Sequence, residues 1–201
     1  MMTQPTALIE SLHHIEKSHY SHGSVLNNAA ICHRLANRLG HEGHLEVAEM
    51  MLSHALNLDP EQGDYHADHG IMLLHLKRHR EAGQAFARAM ALGARHACVM
   101  NGMGSVLLHQ GRHAKAAEMF TRSLSLRPDS LTALQGLAEA LIGMERYAQA
   151  KDILGYALHL SPHHARIHSL LNDILMNEEL AQEAETPRHT GHAHRLLEEA
   201  A

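Results

Sequence analysis

Apolar residues recur along this chain at the three- and four-residue intervals of amphipathic helices, and polar stretches break them at a near-constant distance. Residues 73–86 read LLHLKRHREAGQAF and residues 107–120 read LLHQGRHAKAAEMF, the same pattern 34 positions further on. A duplicated binding motif has no reason to hold its distance, whereas a stacked structural unit must. Sliding the sequence against itself by 34 lines up whole columns without an insertion. Leu39, Leu73, Leu107 and Leu141 form one column, and Ala48, Ala82, Ala116 and Ala150 another. Ala36, Gly70, Gly104 and Ala138 are small throughout, and Leu52, Phe86, Phe120 and Leu154 are large. Leu58, Leu92, Leu126 and Leu160 close each unit just before Pro60, Ala94, Pro128 and Pro162. Small residues where two helices must approach, and a proline where the second must stop, predict a helix-turn-helix unit repeated four times.

Counted from residues 29, 63, 97 and 131, these columns resemble the tetratricopeptide repeat, whose pattern sets an aromatic at place 4, Leu-Gly at 7 and 8, Tyr at 11, Ala at 20, Phe at 24, Ala at 27 and Pro at 32. The resemblance covers 29–162, in units 29–62, 63–96, 97–130 and 131–164. The chain departs from the pattern at place 11, which is Leu throughout, at place 4, which holds Cys32, His66, Met100 and Leu134, and at Ala94, which stands for Pro. The resemblance implies an all-α fold, a right-handed superhelical solenoid. Residues 165–185 read as a capping helix with Ile167, Leu170, Leu171, Ile174 and Leu175 on one face, like the first helix of a fifth unit. In the lead-in 1–28, Leu8, Leu12 and Ile15 have helical spacing and suit a cover for the other end. Thr186-Pro187 opens a histidine-containing tail, 186–201, with a short helix expected at Arg195–Ala201.

Composition narrows the function. A length of 201 residues with 45% apolar content supports a folded core, and a formal charge of −5 argues against a nucleic-acid partner. Cys32 and Cys98 form no metal or disulfide spacing, which fits a reducing compartment. No segment has the length of a membrane span or the build of a signal peptide, so a cytoplasmic, bacterial-type setting is expected. No phosphate loop, nucleophile elbow, H-E-x-x-H or paired-carboxylate pattern points to an enzyme.

Histidine is the outlier, at 22 residues. The H-x3-H pairs His75/His79 and His109/His113 suggest a metal site if both rings project from one helix, but Lys77 and Gly111 sit where the resembled family breaks it. His79 and His113, at place 17 with Tyr147, are expected as flat rings packed at the turn. His66 and His69 read as hydrogen-bonded core histidines, with a ligand pair aided by Asp64 and Asp68 as the alternative. His189, His192 and His194 cluster in the tail and could capture Ni, Zn or Cu weakly. No cofactor is otherwise expected.

The resemblance also implies a concave surface lined by first-helix places 2, 5, 6, 9, 12 and 13. The candidate groove residues are then His33, Asn37, His41, Asp68, Ile71, Leu74, His75, Asn101, Ser105, Leu108, His109, Gln135, Glu139 and Ile142. Asn101 and Gln135 can pair with a peptide backbone, Leu74, Leu108 and Ile142 offer an apolar strip, and Gly102 and Gly136 are expected either to admit that backbone or to relieve crowding between helices. A clamp for chaperone C-terminal carboxylates is disfavoured, because its lysine positions hold His33 and Cys98. The expected function is a non-catalytic adaptor or scaffold binding a protein segment or peptide. Histidine-mediated metal binding or delivery is one alternative, and self-assembly into a homo-oligomer through open end units is another.

Overall fold

The computed structural model describes residues 27–185. Among the described residues the helices are α1 (Ala29–His41), α2 (Leu45–Leu58), α3 (Gly63–His75), α4 (His79–Ala91), α5 (Ala97–His109), α6 (His113–Leu126), α7 (Leu131–Ile142), α8 (Tyr147–Leu160) and α9 (Ala165–Glu185), with no strand. First helices start at 29, 63, 97, 131 and 165, and second helices at 45, 79, 113 and 147, so the 34-residue step holds to the residue. They stack as a right-handed solenoid. The helical stretch expected around Leu8, Leu12 and Ile15 in the lead-in, and the tail 186–201, lie outside the described residues.

Each turn between paired helices is built the same way. Gly43, Lys77, Gly111 and Glu145 take left-handed backbone at φ 88°, 59°, 70° and 60°. The next residue's N–H then reaches back to the core leucine, with His44 N to Leu39 O at 2.9 Å, Arg78 N to Leu73 O at 2.8 Å, and both Arg112 N to Leu107 O and Arg146 N to Leu141 O at 2.9 Å. This is the Schellman closure, which satisfies carbonyls that a helix end leaves open. It also breaks both H-x3-H pairs, since α3 ends at His75 where α4 begins at His79, and α5 ends at His109 where α6 begins at His113.

The second helices stop differently. α2, α6 and α8 run into extended residues Asp59, Arg127 and Ser161, each just before a proline. In the second unit Gly93 is left-handed at φ 88°, and Ala94 N donates to Ala89 O at 2.9 Å. A proline could not make that bond. Ala94 is therefore a glycine-type stop in place of a proline-type one.

The core runs between the two helix layers as three clusters, around Leu52, around Phe86, and from Leu107 to Ile174. Phe86 and Phe120 are fully buried and set the distance between units. A Cβ on Gly70 or Gly104, in the same unit as each ring, would lie 2.7 and 2.8 Å from it. A Cβ on Gly102 or Gly136, in the next unit, would lie 2.2 and 2.3 Å from it. The terminal units invert the volumes. Leu52 is matched by Ala36 and Asp68, and Leu154 by Ala138 and Leu170. The groove role considered for Gly102 and Gly136 is thus corrected: both are buried beneath phenylalanine rings, and their small size serves helix packing.

Candidate peptide-binding groove

Contacts between units run from each second helix to the next first helix and between successive first helices, which puts α1, α3, α5, α7 and α9 on the inner wall. At the junction of the first two units this wall carries a polar cluster. His33 Nε2 is 2.6 Å from Asp68 Oδ2, and Asn37 Nδ2 donates to the same oxygen at 2.8 Å. At that separation the ring nitrogen donates to the carboxylate, so its 3.2 Å approach to Asn37 is contact rather than a second bond. Tyr65 stacks on the His33 ring with centroids 4.4 Å apart. Burial would raise the Asp68 carboxyl, but hydrogen bonds from His33 and Asn37, with the charges of His33 and His96, outweigh it and hold it below the ordinary carboxylate range.

Further along, Asn101 on α5 has a buried Oδ1 with no hydrogen-bond partner among the described residues. Ser105, one turn on, is half-buried. On α7 Gln135 donates to Glu139 at 3.2 Å, and Arg166 of α9 grips the same carboxylate through Nε at 3.2 Å and Nη2 at 2.9 Å. The inner wall therefore reads as a hydrogen-bonded polar cluster at each end with an unmatched acceptor between them.

The apolar strip is less free than its pattern suggests. Leu74 is half-buried against the Phe86 cluster, Leu108 and Ile142 pack on the third cluster, and Ile71 bridges the first two. His41, His75 and His109 are exposed, but His109 is stacked on His79 of the preceding unit, with centroids 3.7 Å apart and planes 15° from parallel. Burial, then the charges of His109 and Lys77, lower the His79 pKa. His113 lies over Gly143 in the same way, where a Cβ would meet its ring at 2.4 Å. The place-17 rings thus pack at the turns, and their neighbours come from the next unit.

His66 and His69 turn to different partners. His66 Nε2 bonds Pro60 O at 2.9 Å, while His69 Nε2 faces Glu49 Oε1 at 3.1 Å and Ser53 Oγ at 3.5 Å. Asp64 and Asp68 are drawn to His96 and His33 instead. Among the described residues no group of three or more His, Cys, Asp or Glu side chains is arranged to hold a metal ion, and His189, His192 and His194 lie outside them. Sequence reasoning missed Tyr65, Glu49, His96 and Arg166. Each partner lies within one repeat length along the chain, and only for Tyr65 with His33 and His96 with Asp64 are the two at nearby places of the repeat frame, a signal that could have found those two.

Two models of the tetratricopeptide repeat match, over residues 65–129 and 107–174. The chain belongs to the tetratricopeptide repeat family. No curated protein matches the sequence. Solved structures share the fold at low identity. YrrB, described as a TPR protein with an unusual peptide-binding site, is 19% identical with a TM-score of 0.66, covering 96% of this chain and 98% of that one. MamA (41-end) from Desulfovibrio magneticus RS-1 is 20% identical at 0.68, covering 75% and 85%. PilF from Pseudomonas aeruginosa is 24% identical at 0.64, covering 75% and 69%. No helix of the described residues is long and apolar enough to cross a membrane.

Proposed function

We propose that this repeat protein is a non-catalytic adaptor that holds a segment of a partner protein along its inner wall. The observation that carries the reading is the unpartnered Asn101 Oδ1. A buried acceptor without a donor costs about 1–3 kcal/mol, which a backbone N–H of a bound segment would recover once the half-buried amide turns toward the groove. Gln135 and Ser105 flank it on the same wall, and YrrB offers a precedent for peptide binding on a full-length match of this fold. The Glu139–Arg166 and Asp68–His33 pairs fix the ends of the wall, so a bound segment would meet a preorganised surface.

The reading is tested by placing a photo-crosslinking residue at Asn101, or at exposed Thr121 on α6 as a control, in the cell that makes the protein. A polypeptide adduct specific to position 101 is expected. Its affinity should then fall severalfold in Asn101→Ala with helicity unchanged. Equal labelling from Thr121 would place the binding surface elsewhere.

A further inference from the structure

The inner-wall carboxylates Glu139 and Asp68 are held in different ways. Glu139 accepts from Gln135 and from the Arg166 guanidinium, whose Nη2 lies 2.9 Å away and cancels its charge. Asp68 accepts from an imidazole and an amide, His33 Nε2 at 2.6 Å and Asn37 Nδ2 at 2.8 Å, and among the described residues no Lys or Arg pairs with it. Both donors use one oxygen, Oδ2. Oδ1 has no hydrogen-bond partner among the described residues, and the side chain is 29% exposed. Tyr65, stacked on the His33 ring, braces the donor that orients this carboxylate. Because the carboxyl lies below its ordinary range, it is ionised at neutral pH. With His33 neutral, the cluster presents a full negative charge on an oriented, partly open acceptor.

The neighbouring wall feels this charge. On α5, desolvation raises the Cys98 thiol, a bond from the Val99 backbone lowers it, and the charges of Asp68 and Asp64 raise it again, leaving it above its ordinary value. In the next two units the residues equivalent to Asp68 are Gly102 and Gly136, both buried, so this acceptor belongs to one step of the wall. Successive first helices lie about 10 Å apart, which puts Asn101, one helix on, about three residues of extended chain from Asp68. One bound segment can reach both.

We propose that Asp68 selects the segment held along the inner wall by taking a Lys or Arg side chain of that segment on its free Oδ1. This selection rests on the adaptor function proposed above, in which Asn101 pairs with the backbone of the same segment, and adds a side-chain requirement to it. A backbone contact is open to every sequence, whereas a charge-assisted bond to an oriented carboxylate excludes segments without a cation. A single open oxygen offers no fork for two parallel bonds, so a Lys ammonium fits it as well as an Arg guanidinium. Since Glu139 is already held by Arg166, the base marks the end of the wall formed by the first two units.

Linear random nonapeptides displayed on phage and selected on the full chain test this. The selected peptides are expected to share one Lys or Arg at a fixed position, and in a synthetic peptide replacing it by norleucine should weaken binding to the unaltered chain about tenfold. Asp68→Asn keeps an acceptor for His33 and Asn37. It should weaken the base-bearing peptide about tenfold and leave the norleucine peptide unchanged, with helicity retained, whereas Asn101→Ala should weaken both peptides alike. Selected peptides without a shared base, or equal losses for the two peptides in Asp68→Asn, would overturn the selection by Asp68 while sensitivity to Asn101→Ala kept the adaptor function standing. Failure to select any peptide, or peptides indifferent to Asn101→Ala, would sink the adaptor function and the selection with it. In the unaltered chain, saturating base-bearing peptide should slow alkylation of exposed Cys98 by iodoacetamide severalfold. An unchanged rate would place the base away from Asp68 and overturn the proposal without recourse to any variant.

Discussion

Phe86 and Phe120 show how one side chain sets the space left for two others. Each ring fills the gap between a glycine of its own unit and a glycine of the next, and where leucine replaces phenylalanine the facing positions regain side chains. Volume is conserved across the joint, as close packing requires. Gly136→Ala places a methyl about where the Phe120 ring now lies, so it should destabilise the chain by about 1–3 kcal/mol in a denaturant titration. Phe120→Leu in the same chain should recover part of that loss, and no recovery would mean the two positions do not share one space. The glycine column was visible in the sequence. The direction the place-6 glycines face was not, because a missing side chain leaves no polarity to read.

At the scale of the helices, the chain ends its second helices in two ways. Three stop before proline, while α4 stops on left-handed Gly93 with Ala94 N–H bonded to Ala89 O. Restoring the family proline by Ala94→Pro removes that donor and inserts a ring beside buried neighbours, so it should cost about 1–2 kcal/mol, seen as a lower melting temperature. A stabilised variant would show that the glycine stop is incidental. The family pattern alone predicts gain here, since proline usually stiffens a loop. The backbone of this one turn reverses the sign. The first-helix turns were more legible: Gly43 and Gly111 at place 15 marked the left-handed position that Lys77 and Glu145 also adopt.

For the whole molecule, 22 histidines against a formal charge of −5 make acidity the main variable. With ordinary histidines titrating near ~6.5, net charge should change sign as pH falls from about 7 to 5.5, checked by electrophoretic mobility and light scattering. A flat response would contradict it. Stability has a separate handle in His79. Its folded pKa is lowered, so the unfolded chain binds the proton first, and the stability it contributes is lost as pH falls through the unfolded value near ~6.5. His79→Tyr, matching Tyr147 at the same place, should therefore gain stability relative to the parent at pH 5.5 compared with pH 7.5. Asp68, lowered instead, keeps its contribution until pH drops below about 4, and loses it as the folded carboxyl titrates.

By itself, the sequence determined the 34-residue period, the helix pairs and the buried alanine and leucine columns, because these follow from periodicity inside a unit, while the break within each H-x3-H pair was legible only through the resemblance to the repeat family. Only the stacking of units decided that His33 meets Asp68 and Tyr65, that His79 lies on His109, and that Leu175 is left bare. Those contacts depend on the offset and rotation between neighbouring helix pairs, which a repeating pattern of apolar and polar residues does not encode.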